Sequence, residues 1–162
     1  MIISTEIKRL VSALSERLIE KEYQLATAES CTGGLIGAAC TEQEGSSAWF
    51  QCALVTYSNE SKQRLLGVQA DTLLSYGAVS RETVSEMCVG ALNQEVDVVV
   101  SVSGIAGPGG ATEGKPVGTV YIGWQKKGSP STINRFNFDG DRSEVREKAT
   151  TEALKGLIKL LE

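Results

Sequence analysis

Between residues 28 and 34 the chain reads AESCTGG, setting a carboxylate (Glu29), a hydroxyl (Ser30), a thiol (Cys31) and a second hydroxyl (Thr32) beside two glycines. A serine at a strand-to-helix turn meets unpaired backbone N–H groups and the positive end of the helix dipole, and both stabilise an alkoxide and the oxyanion of an acyl transfer. Such a turn suits a nucleophile. Serine and threonine are equally the preferred helix caps, so Ser30 has a plain capping reading as well. Cys31 competes for the nucleophile's role because thiols at helix starts lose protons readily, or else it packs as a small apolar side chain.

The chain contains no histidine, which removes Ser-His-Asp triads, Cys-His dyads and His-ligated metals together. A serine nucleophile then needs a lysine, a tyrosine or a carboxylate as its base. TYSNESK, residues 56–62, offers Lys62 and Tyr57. A lysine desolvated in a cleft gives up its proton, and a nearby phenol can relay that proton or donate to the oxyanion. The alternative is a solvated helix lysine, because lysines are mostly exposed. No S-x-x-K pattern starts at Ser30, so Ser-Lys chemistry depends on the fold bringing two distant junctions together.

A third stretch, SGIAGPGGATEGKPVGTV at residues 103–120, is rich in glycines whose N–H groups can approach a phosphate without obstruction. It matches neither G-x-G-x-x-G nor the P-loop pattern, which weakens dinucleotide and nucleoside triphosphate readings. Glycine and proline also punctuate ordinary loops, so a hairpin approach with no ligand stands beside the phosphate reading. Arg142 in DGDRSE has two readings of the same kind: it can hold a phosphate or pair with Glu144 or Asp139. Glutamate and aspartate form no dense ligand cluster, and no metal or other cofactor is expected.

The elements that must position these residues follow from periodicity. Apolar residues from Ile7 to Ile19 recur at three- and four-residue steps, which predicts a helix over 4–20. YQLATAES reads as a strand ending at Ser30, TGGLIGAACTE as a helix beginning at Thr32, Trp49 to Tyr57 as a strand and Asn59 to Leu66 as a short helix. Ser80 should cap a helix whose buried face carries Val84, Met87, Cys88 and Ala91. VDVVVSVSGIAG is a continuous apolar run, the pattern of a strand buried on both faces. A hairpin turning at Lys-Gly-Ser-Pro and a last helix opened by a capping carboxylate complete the chain. The fold class predicted is α/β: a three-layer α/β/α sandwich with a mixed sheet, with residues 1–162 forming one domain.

Bulk properties narrow the partners. A formal charge of -4 and a pI near 5.0 disfavour nucleic acid, whose binders cluster Lys and Arg. The charged amphipathic N-terminus and the lack of any long apolar stretch argue against a membrane partner and point to the cytoplasm. Cys31, Cys40, Cys52 and Cys88 show no C-x-x-C spacing and are expected as free thiols.

TAESCTGGLIGAACTEQEGSSAWFQCALVTYSNESK, GAVSRETVSEM, VSGIAGPGGATEGKPVGTVYIG and GDR, spread from Thr27 to Arg142, together resemble one family. It is the nicotinamide-nucleotide amidases related to the C-terminal domain of the competence-damage-inducible protein CinA. The resemblance implies hydrolysis of nicotinamide mononucleotide to nicotinic acid mononucleotide and ammonia, a salvage step, with Ser30 as nucleophile, Lys62 working with it and Tyr57 assisting. It further implies a substrate site lined by Cys31, Thr32, Gly33, Asn59, Gly104, Ala106, Gly107, Gly109 and Arg142, and a homodimer. Longer members carry an N-terminal domain linked to ADP-ribose pyrophosphatase activity, which is not carried over to these residues.

Overall fold

Ser4 opens the first helix, its hydroxyl oxygen accepting the Ile7 N–H at 3.2 Å, and α1 runs Thr5–Lys21 in the computed structural model, which describes residues 2–162. The chain continues through β1 (Leu25–Glu29), α2 (Leu35–Thr41), a single 3₁₀ turn, β2 (Phe50–Val55), α3 (Asn59–Leu66), α4 (Ala70–Tyr76) and α5 (Arg81–Leu92). It ends with β3 (Val98–Gly104), β4 (Thr119–Lys126), β5 (Thr132–Asn137) and α6 (Arg142–Leu160).

The sheet order is β2-β1-β3-β4-β5, with β1 parallel to β2 and β3, and β4 antiparallel to both β3 and β5. The β1–β2 register slips once: Leu25 pairs with Phe50 but Ala26 pairs with Cys52, leaving Gln51 as an extra residue. On one face α1, α2 and α6 bury Leu14, Leu18, Ile36, Val145 and Leu157 against the sheet. On the other, α3, α4 and α5 bury Leu66, Leu73, Val84, Met87 and Cys88. The architecture is the three-layer α/β/α sandwich with a mixed sheet. No helix among the described residues is long and apolar enough to cross a bilayer.

Sequence and structure part at two places. The helix expected from Thr32 begins at Leu35, because Gly33 and Gly34 adopt φ of 59° and 98°, outside the right-handed helical region. Helix α4 has no counterpart in the sequence pattern; it is seven residues long, lacks a side-chain cap and buries only Leu73, too little for a periodic signal. Elsewhere the caps match: Ser80 accepts the Thr83 N–H, and Asp141 forms a capping box with Glu144.

The connection from β1 to β2 carries α2 on one face, and that from β2 to β3 carries α3, α4 and α5 on the other. The chain therefore switches faces around β1. Such a switch opens a crevice at the carboxyl ends of the parallel strands.

Candidate active site

Ser30 is the first residue beyond β1, and its backbone is held on both sides of the crevice floor. Its N–H donates to the Val102 carbonyl at 3.0 Å and its own carbonyl accepts the Gly33 N–H at 2.9 Å. The next parallel strand supplies the partner. After β2 the chain turns at Thr56 and Tyr57, Ser58 caps α3 through a reciprocal box with Ser61, and the first turn of α3 aims Lys62 back beneath the strand ends. Lys62 Nζ lies 3.0 Å from Ser30 Oγ and donates to the Thr56 carbonyl at 2.6 Å.

Only 1% of the Lys62 surface is exposed. The three ion pairs among the described residues lie elsewhere on the surface, so no carboxylate neutralises this ammonium. Burial accordingly lowers its pKa from 10.5 to about 8, the interaction with Cys31 acting in the other direction. The amine is poised to lose its proton near neutral pH and to accept one from Ser30. The same burial pushes the Cys31 thiol up to about 12, despite the nearby Arg146 and Lys62 charges. A thiol held there is a poor nucleophile.

Glu29 decides how the turn between β1 and α2 is built. Its fully buried carboxylate accepts the Thr27 hydroxyl at 2.9 Å, the Thr32 hydroxyl at 2.7 Å, the Ile36 N–H at 3.0 Å and the Gly37 N–H at 2.9 Å. The Leu35 and Ala38 N–H groups bond to Thr32 and Gly34 carbonyls, so the first turn of α2 has no donor left over. Two expectations are corrected here. Ser30 is not the cap of α2, and the N–H groups of its first turn are not free for Ser30, because the Glu29 carboxylate and the Thr32 and Gly34 carbonyls take them.

A cleft of about 310 Å³ opens over the pair, lined among others by Ser30, Cys31, Asn59, Lys62, Ser103 and the loop from Gly104 to Gly110. Gly104, Ala106, Gly107 and Gly109 are all among the lining residues. Tyr57 and Arg142 form the mouth. The Arg142 guanidinium donates to the Gly107 carbonyl at 2.8 Å and to the Tyr57 hydroxyl at 3.0 Å, joining the two rims. Arg142 pairs with neither Glu144 nor Asp139. Tyr57 is 64% exposed and makes no hydrogen bond to Ser30 or Lys62.

Two expected substrate residues do not line the cleft. Thr32 is fully buried with its hydroxyl on Glu29, and Gly33 faces outward, where a Cβ would come within 3.2 Å of Arg146. Three residues escape a reading of the sequence alone. Glu29 is visible there only as a carboxylate closing an apolar strand, Ser103 as a small polar residue near the end of β3, and Arg146 as a basic residue one helical turn beyond Arg142. Among the described residues no cluster of His, Cys, Asp or Glu could hold a metal ion.

Fold and site together define an α/β/α domain with a buried serine–lysine pair at the carboxyl ends of its parallel strands. The chain belongs to the CinA family, residues 7–161 matching the CinA C-terminal domain. It is 44% identical over 154 residues to the nicotinamide-nucleotide amidohydrolase PncC of Escherichia coli (strain K12), the match covering 94% of this chain and 93% of that one. A CinA-like protein of Endomicrobium trichonymphae is 49% identical over 146 residues, which span 90% of this chain but 34% of the relative. The chain therefore spans about a third of the longer relatives and nearly all of the shorter. The crystal structure of competence/damage inducible protein CihA from Agrobacterium tumefaciens superposes with a TM-score of 0.96 at 38% identity, covering 100% of this chain and 99% of that one.

Proposed function

We propose that the protein is a nicotinamide-nucleotide amidohydrolase that converts nicotinamide mononucleotide and water to nicotinic acid mononucleotide and ammonia. The observation that carries this reading is the 3.0 Å approach of a buried, unpaired lysine amine to Ser30 Oγ, in a chain that has no histidine. The kinship with PncC supplies the substrate.

Neutral Lys62 takes the Ser30 proton as Oγ attacks the carboxamide carbon. The resulting oxyanion is held by backbone N–H groups of the turn after Ser30. The lysine ammonium then protonates the departing nitrogen, the C–N bond breaks, and ammonia leaves a nicotinoyl ester on Ser30. Water, deprotonated by the same amine, attacks the ester and restores the serine. At the other end of the cleft, Arg142 and the loop Gly104–Gly110 receive the 5′-phosphate; two of the five guanidinium N–H groups are engaged, which leaves donors for the ligand. Tyr57 belongs to this binding end, because its hydroxyl bonds Arg142 rather than the reacting pair.

The test is ammonia release from nicotinamide mononucleotide by the wild type, Ser30→Ala and Cys31→Ala. We expect turnover by the wild type, a loss of at least about 10³-fold in Ser30→Ala, and a rate within severalfold of wild type in Cys31→Ala. Turnover that survives Ser30→Ala but not Cys31→Ala would transfer the nucleophile's role to the thiol. A nucleotide that raises the melting temperature of a wild type releasing no ammonia would make the domain a binding module.

A further inference from the structure

Amidase chemistry makes one demand that Ser30, Lys62 and α2 do not meet: the oxyanion needs donors, and the first turn of α2 has none to give. Of the turn's N–H groups, those of Cys31, Thr32 and Gly34 find no backbone acceptor among the described residues, and of these three residues only Cys31 lines the cleft. Free donors on a short turn are useful only if the turn cannot rotate them away.

Arg146 prevents that rotation. From the second turn of α6 its Nε donates to the Cys31 carbonyl at 3.1 Å and its Nη2 to the Thr32 carbonyl at 3.1 Å, links that span more than a hundred residues of sequence. The Cys31–Thr32 peptide is trans, so its carbonyl and N–H point in opposite directions. Fixing the Cys31 carbonyl on the guanidinium therefore turns the Thr32 N–H away from Arg146. Cys31 lines the cleft and neither Thr32 nor Arg146 does, so the donor the turn can offer is the Cys31 N–H, on a turn held from behind by the guanidinium. Arg146 forms no ion pair among the described residues, so its charge falls on these two peptides. The turn fits closely around this contact: Gly33 has φ 59°, and a Cβ there would press on the guanidinium at 3.2 Å.

We infer that Arg146 is a positioning residue for the amidase reaction, fixing the turn so that the Cys31 N–H serves as an oxyanion donor. The inference rests on the reading of Ser30 as an amidase nucleophile. It extends the role of α6, which with Arg142 and Arg146 ties both the glycine loop and the nucleophile turn to one rigid element.

Steady-state kinetics on nicotinamide mononucleotide, with wild type and Ser30→Ala alongside, test it. In Arg146→Ala, kcat should fall on the order of 10²-fold with KM changed less than about threefold, as for loss of one oxyanion donor. Guanidinium ion at millimolar concentration should restore part of that rate, and it should do nothing for Ser30→Ala. Arg146→Lys, which keeps the charge and one bond, should fall between Arg146→Ala and wild type, and it serves as the variant if Arg146→Ala does not fold. An unimpaired kcat in both variants beside an active wild type overturns this inference alone, as does a loss carried entirely by KM. A wild type that releases no ammonia overturns the amidase reading and this inference with it.

Discussion

Lys62 is useful because it is badly solvated. Burial lowers its pKa from 10.5 to about 8, so the unfolded chain binds this proton more tightly than the folded one. The resulting penalty on stability is fully present below about pH 8 and is relieved as pH rises from there toward 10.5. We expect Lys62→Met to be inactive and yet more stable than wild type at pH 7, by up to about 3 kcal/mol before the lost bond to Thr56 is subtracted. Urea denaturation at pH 7 and pH 10 checks this, since the difference should shrink at the higher pH. For the wild type, kcat/KM should climb through about pH 8 as the amine loses its proton. Ser30 and Lys62 are legible as residue types once histidine is seen to be missing. Their meeting is not, because 32 residues separate them and only adjacent parallel strands bring them together. Thr32 illustrates the converse limit: a hydroxyl beside a nucleophile reads as a substrate contact, and nothing local reveals that a strand carboxylate has taken it.

The turn between β1 and α2 is an element in its own right, organised from inside by Glu29 and from outside by Arg146. The Glu29 carboxylate faces two backbone N–H groups at 3.0 Å and 2.9 Å and two hydroxyls. Glu29→Gln would turn an amide NH₂ toward one of those donors and leave it unsatisfied in a buried place. The expected cost is about 2–3 kcal/mol, read as a lower melting temperature, with kcat falling further than KM rises because the turn holds the nucleophile. An unchanged melting temperature would show that the introduced amide finds a relaxed pairing. At this scale the sequence is readable where apolar spacing or a cap marks the element, as in α1, α5 and α6, and where an apolar run is unbroken, as in β3. It misplaces the start of α2, because two glycines with positive φ interrupt a stretch that otherwise looks helical.

Across the whole molecule, the two helical layers must sit close to the sheet for the strand ends to meet. At Gly156 α6 lies flat against the Trp124 indole, whose Nε1 donates to the Ala153 carbonyl at 2.9 Å, and a Cβ on Gly156 would collide with the ring. Gly156→Ala should therefore push α6 off β4 and lower stability by about 1–3 kcal/mol, a shift of several degrees in the melting temperature. Calorimetry reads this directly, and a variant as stable as wild type would mean that the indole yields. That the fold is three-layered with a mixed sheet can be read from the order of strands and helices. The order β2-β1-β3-β4-β5 cannot, since pairing partners leave no mark on single-strand patterns.

One detail of that sheet reaches the chemistry from a distance. Without Gln51 as an extra residue, the offset of the Leu25–Phe50 pair would run on to the strand ends, placing Leu54 beside Glu29 and Val55 beside Ser30. Everything beyond β2, Lys62 included, would then slide by one residue, about 3.3 Å along the strand, and β2 would present its opposite face. That slide is about as long as the 3.0 Å contact between Lys62 Nζ and Ser30 Oγ. A solvent-facing glutamine outside the cleft thus acts as a shim, bringing the two halves of the proposed Ser30–Lys62 pair into phase.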